Sequence, residues 1–354
     1  MGKRNVFVIG NGALALSIAG QMAAREALVT YYNPCGEVLP DTDFKFKGAL
    51  NYNFTLSKMA SDYSAVPDAE IIVICVSPSQ SHKVFAELLP YLKTNHNLIL
   101  FPAYFGALAL KIMLKKINLP DITISEVVSF PCICEMEAPG ILQVLDVKQY
   151  LRMAVSPASR AEELLELYNE FFDILSLSQN FLETSLDNIN IVLHPLPILL
   201  NVSAVERNTE EFHHFIDGVS HTVGRLVEQA DQERLEVGRA YGLNLTSTMK
   251  QLVLYYGKRK ANNITDYISS EDGPYANVKG YGLHSRYITE DVPYTVVFTE
   301  SLAHSAGIHV PVISASIDIA SLIHGNNYRK TGVTLDSIGL KNASIEIIRQ
   351  EVNT

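Results

Sequence analysis

Cysteine is scarce in this chain. Four thiols, at positions 35, 75, 132 and 134 of 354 residues, are too few and too irregularly spaced for a disulfide framework. Cys132-x-Cys134 lacks the second half of a zinc site, so no structural metal is expected, and the thiols are expected to be reduced and mostly buried. Long apolar runs are missing too. None reaches the roughly 18 residues of a membrane-spanning helix, and Met1 to Asn5 leads into an apolar strand with no signal-peptide pattern. A cytoplasmic protein is expected. Positive charge is in deficit, with 28 Lys and Arg against 38 Asp and Glu and a net charge of −10. That balance argues against nucleic acid or an anionic membrane as partner, and an anionic small-molecule substrate requires a local basic pocket. There is no internal repeat and no low-complexity tract. Apolar residues are abundant instead, at 47%. A chain of this length exceeds what one small core organises, so two domains are expected.

Near the start, Asn5-Val6-Phe7-Val8-Ile9 runs directly into Gly10-Asn11-Gly12-Ala13-Leu14-Ala15. A short apolar strand entering G-x-G-x-x-A and then an alanine-rich helix is the pattern of a dinucleotide cradle. Gly10 permits the tight turn, Gly12 lets the backbone approach a pyrophosphate, and Ala15 lets the helix lie close to the strand. The context strengthens a motif that is weak alone, with a helix over 14–25 and a strand over 27–32. Further along, apolar runs at 71–76, 97–101 and 122–128 read as strands, and 79–92 and 108–116 as helices. Residues 140–155 shift toward paired strands, and 158–172 reads as a helix. This is a Rossmann-type doubly wound sheet with additions.

From about Ser185 the period changes to helical, over 190–205, 218–241, 291–306, 312–324 and 343–351. Gly242, Gly307 and Gly325 follow as helix stops. The expected organisation is a dinucleotide-binding domain over 1–182 and a helical substrate and catalytic domain over 183–354. At the end of the second strand, where NAD-binding units commonly carry an acidic residue for the ribose hydroxyls, stands Asn33. An amide does not repel a 2′-phosphate, so the reading leans to NADP over NAD, with Lys45 and Lys47 the nearest cations downstream.

Two stretches of the helical half carry candidate chemistry. In 188–201, Asn190 and His194 are four residues apart and share a helix face, and His194 lies among apolar residues with a pKa suited to proton transfer. In 282–293, Arg286 could clamp a carboxylate, and Asp291 could orient an imidazole. An ordinary helix start, with Asp291 capping and Pro293 in the first turn, explains the second stretch equally well.

The chain resembles the octopine/nopaline (opine) dehydrogenase family over nearly its whole length. The similarity runs through Gly10-Asn11-Gly12, Val76-Ser77-Pro78 with His82, His194-Pro195-Leu196-Pro197 with Asn201, Gly273-Pro274-Tyr275, Arg286-Tyr287 with Glu290-Asp291, and Tyr328-Arg329-Lys330 through Ile338-Gly339-Leu340. The resemblance implies His194 as catalytic acid/base, Asp291 as its paired aspartate and Arg286 as the substrate arginine, with Asn190 and Asn201 beside the substrate. Gly10, Asn11, Gly12, Ala13, Leu14, Ala15, Asn33, Ser77 and Pro78 would hold NAD or NADP. Three positions depart from the family pattern: Asn33, His284 where relatives often carry Asn, and Phe101-Pro102-Ala103 in place of a more glycine-rich turn. The implied activity is reductive condensation of an α-keto acid, often pyruvate, with an amino acid, both small molecules, and the apolar helical domain could supply the surface of a homodimer. The alternatives are a two-domain reductase of the ketopantoate reductase or glycerol-3-phosphate dehydrogenase type, which uses a catalytic lysine where this chain offers histidine, and a nicotinamide-nucleotide-binding protein without turnover.

Overall fold

A computed structural model of the protein describes residues 3–36, 41–119, 122–207, 211–271, 273–276, 278–279 and 282–353. The chain divides into two compact units, Met1–Thr184 with Asn353–Thr354 and Ser185–Val352. The first unit holds twelve described strands: β1 (Asn5–Gly10), β2 (Leu28–Tyr32), β3 (Asp43–Gly48), β4 (Asn53–Thr55), β5 (Lys58–Ala60), β6 (Ile71–Cys75), β7 (Asn97–Leu100), β8 (Thr123–Val127), β9 (Cys132–Ala138), β10 (Ile141–Val147), β11 (Leu151–Ser156) and β12 (Leu175–Leu177). Eight of them form the main sheet, in the order β12-β11-β8-β7-β6-β1-β2-β5. Pairing is parallel except where β11 meets β8. The central strands are apolar throughout because helices cover both faces of such a sheet. Val6 to Ile9 are 0–1% exposed and Ile71 to Ile74 0–3%, each burial stabilising the fold by about 2 kcal/mol.

Strand order reverses between β1 and β6, with Gly10 in register with Cys75. Open sheets of this kind bind ligands beyond the carboxyl ends of the strands at that reversal. The elements leaving it are the helices Gly12–Ala24 and Pro78–Leu88. The first is long in small residues, and the reason is packing. A Cβ on Gly20 would lie 2.6 Å from the Phe54 ring, which itself packs on Phe44 and Phe46 at centroid distances of 5.4 and 4.8 Å. These rings belong to a second sheet, β4-β3-β10-β9, which the sequence reading did not anticipate as a separate layer. Its hairpin begins at Cys132, turns at Gly140 (φ +75°), and pairs antiparallel over β9 and β10, whereas β11 leaves it for the main sheet.

The second unit is helical, with only an isolated bridge, His213 to Lys279, between extended segments among the described residues. Its longest helix, His221–Ala240, is capped by Ser220 Oγ, which accepts from the Val223 N–H. The helix buries Arg234 completely. The guanidinium donates to Asp231 Oδ1 at 2.7 Å, to the Leu186 carbonyl at 2.7 Å and to Asp187 Oδ1 at 3.3 Å. A buried charge is tolerated only when so paired.

Of the long helices expected from the sequence, one is broken and another carries a π-turn. Residues 190–205 form three short pieces, Asn190–Leu193, Pro195–Leu199 and Val202–Arg207, because Pro195 has no N–H with which to continue the ladder. Asp291 is not a helix start either. The backbone is helical from Arg286 to Thr289, passes through one π-turn at Val292–Val296 and continues as Val297–Ala306. In the π-turn the Pro293 carbonyl accepts from the Val333 N–H at 2.8 Å, a donor outside the helix.

Candidate active site

At the strand-order reversal, the two glycines have separate tasks. A Cβ on Gly10 would sit 2.5 Å from Ala15 Cβ and 2.6 Å from the Cys75 carbonyl oxygen. Gly10 and Ala15 are therefore the contact that brings helix and strand together. Gly12 has φ +75° and nothing within 4 Å of an added Cβ, so its backbone is bare toward open space. Asn11 precedes the helix in extended conformation and makes no side-chain cap. The first-turn N–H groups at Ala13, Leu14 and Ala15 thus have no side-chain acceptor at the cap, and a helix N-terminus in this state favours a phosphate. These features fit a dinucleotide pyrophosphate.

Asn33, half-buried, accepts from the Cys35 N–H through Oδ1 at 3.0 Å. The exposed Cys35 Sγ in turn lies 3.0 Å from Gln80 Nε2 and 3.6 Å from Asn11 Nδ2. A polar cluster thus links the ends of β1 and β2 with the helix after β6, where Ser77 is the N-cap and buried Pro78 the first helical residue. Neither Cys35 nor Gln80 was singled out from the sequence, since no motif marks them. Beside this cluster a cavity of about 600 Å³ is lined by Gly12, Leu16, Tyr31, Asn33, Asp41 and Phe44 together with the β9–β10 turn, and no described lining residue is cationic. Lys47 is held by Glu137 at 3.0 Å.

In the helical unit, His194 stands at the joint between Asn190–Leu193 and Pro195–Leu199, its N–H donating to the Asn190 carbonyl at 3.2 Å. Asp291, 97 residues later, places Oδ2 2.7 Å from His194 Nδ1. Both residues are buried, at 7% and 1% exposure. The bond decides between the two sequence readings of Asp291: its backbone is helical and its side chain makes no capping hydrogen bond. One helical turn before Asp291, Tyr287 stacks its ring on the imidazole, with centroids 3.7 Å apart and planes at 16°. The i, i+4 spacing aims both at the same histidine.

A second histidine lies against this pair. His214, fully buried, meets the His194 ring edge-on at 6.2 Å and Tyr287 at 4.7 Å. Its Nε2–H donates to the Leu193 carbonyl at 3.2 Å, and Nδ1 has no hydrogen-bond partner among the described residues. Burial, with a smaller contribution from His194, pushes its pKa down to about 3. His214 is a neutral wall beside His194, and no motif in the sequence marks it.

The remaining candidates are less concentrated. Arg286 is exposed and carries its guanidinium carbon 5.5 Å from the Tyr287 ring centre, next to the dyad. Asn190 is half-buried on the joint that carries His194. Asn201 donates its amide to the carbonyls of Pro197 and Gly218 at 2.8 and 2.9 Å, which braces the proline-rich turn. His284, the departure noted in the sequence, stacks on His324 with centroids 4.9 Å apart.

A dinucleotide cradle on a doubly wound sheet, followed by a helical unit with a buried histidine–aspartate pair, defines a two-domain NAD(P)-dependent dehydrogenase. The chain belongs to the octopine/nopaline dehydrogenase family. Residues 177–324 match the family's model of the NAD/NADP octopine/nopaline dehydrogenase alpha-helical domain. An opine dehydrogenase of Arthrobacter sp. (strain 1C) is 33% identical over 291 residues, which cover 81% of this chain and 80% of that protein. Among solved structures, octopine dehydrogenase in complex with NADH and agmatine superposes with a TM-score of 0.79 at 16% identity, covering 98% of each chain. Yersinopine dehydrogenase with NADP+ bound gives 0.71 at 14% identity, covering 99% of this chain and 98% of that one. The family makes this protein an NAD- or NADP-dependent oxidoreductase, and the ketopantoate reductase and non-catalytic alternatives are not favoured. Among the described residues no helix is long and apolar enough to cross a membrane.

Proposed function

We propose that this opine dehydrogenase joins an α-keto acid, of the size of pyruvate, to the amino group of an amino acid and reduces the resulting imine, or runs the reverse oxidation. The observation that carries the residue assignment is the buried His194–Asp291 hydrogen bond. With Nδ1 held by the Asp291 carboxylate, proton exchange with substrate falls to Nε2. His194 would give a proton to the carbinolamine oxygen as water leaves, and would exchange one with nitrogen around imine formation. Asp291 holds the ring orientation and stabilises the imidazolium, and Tyr287 fixes the plane of the ring. Arg286 would grip a substrate carboxylate with its planar fork, which supplies the local cation that a chain of net charge −10 needs. Asn190 is the neighbouring substrate contact, and Asn201 acts through the turn it braces.

When bound, the nicotinamide cofactor supplies the hydride. Gly10, Asn11, Gly12, Ala13, Leu14 and Ala15 would hold its pyrophosphate, and Asn33, Ser77 and Pro78 its adenosine end. The lean toward NADP rests on Asn33 alone, since Lys47 is engaged by Glu137. We also propose a cytoplasmic homodimer. Four free thiols, one of them exposed, suit a reducing compartment, and Leu322 at 83% exposure with Ile319 on the same helix offers an apolar contact face.

The test is oxidation of NADH or NADPH with pyruvate, with and without a panel of amino acids, with products identified by mass. Amino-acid-dependent formation of a secondary amine dicarboxylate is expected. Oxidation that ignores the amino acid, or none with any keto acid, overturns the reading.

A further inference from the structure

Between Arg286 and Asp291 lies a carboxyl that the reading above does not use. Glu290 follows the turn Arg286–Thr289, its N–H donating to the Arg286 carbonyl at 2.9 Å and its carbonyl accepting from the Tyr294 N–H at 3.1 Å. Four residues after Arg286 on a helical backbone, its side chain leaves from the same face as the guanidinium. Its chain neighbour Asp291 is the aspartate bonded to His194. Burial raises the Glu290 carboxyl above the ordinary range, the Arg286 charge opposes that shift, and the Asp291 charge adds to it. Among the described residues none donates a hydrogen bond to the Glu290 carboxylate.

A half-buried carboxylate next in the chain to a second carboxylate, with the Arg286 charge acting on it but no hydrogen-bond donor, is an environment that favours a further cation once Arg286 is engaged by a substrate carboxylate. Of the two substrates in the proposed reaction, only one brings a cation. The keto acid carries a carboxylate alone, whereas the amino acid carries an α-ammonium next to its carboxylate. We propose that Glu290 receives the α-ammonium group of the amino substrate, one helical turn from the arginine that takes a carboxylate. A single turn of helix then matches both charges of a zwitterion and hands its nitrogen to the neighbourhood of His194. The same carboxylate would hold the protonated secondary amine in the reverse direction. This inference rests on the amino acid substrate of the proposed function, and it adds how the site tells an amino acid from a carboxylic acid.

The test is calorimetric binding to the full-length protein in the presence of NADH. The probes are pairs that differ only in the amino group: L-leucine against 4-methylpentanoate, L-glutamate against glutarate, and L-arginine against 5-guanidinopentanoate. The wild type should bind the amino acid of at least one pair about tenfold more tightly than its des-amino partner. In Glu290→Gln, which keeps shape and loses charge, that preference should fall to within about twofold, and Glu290→Asp, which retracts the charge, should fall between. A preference kept in Glu290→Gln at a wild-type melting temperature overturns the assignment. So does an equal loss for both members of a pair, which would make Glu290 a brace for Arg286, or a wild type with no preference in any pair. Because binding is read, a protein that prefers the amino acid yet forms no secondary amine would refute the proposed reaction and leave Glu290 in place.

Discussion

The nucleotide cradle and the histidine dyad are built by opposite means. The proposed cradle is backbone, contained in six consecutive residues from Gly10 to Ala15, and it depends on the missing side chains of Gly10 and Gly12 and the small one of Ala15. The dyad is side chain on side chain, assembled from positions 97 apart in sequence, with Tyr287, His214 and a proline-broken helix packed around one imidazole. The first can be damaged by adding atoms, the second by removing them. The contrast orders the experiments.

The largest effect should come from the dyad. His194→Ala should lower turnover about 100-fold to 10,000-fold, the usual scale for a positioned proton carrier, and leave nucleotide affinity nearly unchanged. Asp291→Asn should give a parallel, smaller loss, and the double variant should lose little beyond His194→Ala because the two act as a unit. Steady-state kinetics with active-site titration reads this; wild-type turnover per folded molecule in His194→Ala would return the histidine to a structural part.

The two histidines of the site should also separate by pH. His214 takes a proton only near pH 3 in the folded protein and near 6.5 in the unfolded chain. Below 6.5 the unfolded state therefore binds a proton that the folded state does not, so stability falls as pH drops from 6.5 toward 3. Above 6.5 the residue adds nothing to the pH dependence. The slope is at most about 1.4 kcal/mol per pH unit. Urea unfolding at pH 7 and pH 5 should show a loss of about 2 kcal/mol in the wild type that His214→Gln lacks. Equal losses in both would mean that His214 is charged when folded.

Within the cradle the two glycines should part in the same way. Gly10→Val drives a side chain into Ala15 and the Cys75 carbonyl, so it should cost about 1–3 kcal/mol of stability through overpacking and lower the melting temperature. Gly12→Val meets no protein atom. It should keep most of the fold apart from the strain at φ +75°, and weaken nucleotide binding by about tenfold or more, because its side chain would occupy the space of the pyrophosphate. Calorimetry on both variants tests the division.

How much of this was legible in the sequence follows from the same contrast. The Gly10–Ala15 motif and the change of period near Ser185 are local signals, and the strands over 71–76 and 97–101 appear within a residue of their expected ends. The second sheet was missed although its signal was present. Phe44 and Phe46 alternate in burial with Lys45 and Lys47, a period of two, but the lysines drew notice as cations. His214 could not be found, since a pair of histidines between Phe212 and Phe215 carries no periodicity that says which of the two is a buried wall. Asp291 was ambiguous because capping and pairing use the same residue type, and only the distance to His194 separates them. The continuous helix expected over 190–205 failed on Pro195 and Pro197, whose missing N–H groups were readable and were outweighed by the apolar run.

The smallest effect, and the finest test of the cradle, is cofactor choice. Asn33 lies beside Gly12 in the wall of one cavity with Asp41 and no described cation, and its Oδ1 is already bonded to the Cys35 N–H. An acidic residue here would receive ribose hydroxyls and repel a 2′-phosphate. Asn33→Asp keeps the size of the side chain and can keep the bond to the Cys35 N–H, so the local turn should survive while charge alone changes. The ratio of kcat/KM for NADH to that for NADPH should rise by a few-fold to about tenfold, roughly 1 kcal/mol of discrimination at a partly exposed site. The change should lie almost wholly in the NADPH constant and shrink with added salt, because it is a repulsion between partly solvated charges. A ratio that stays put, or a shift that arises from tighter NADH binding at unchanged NADPH kinetics, would remove Asn33 as the residue that senses the 2′ position.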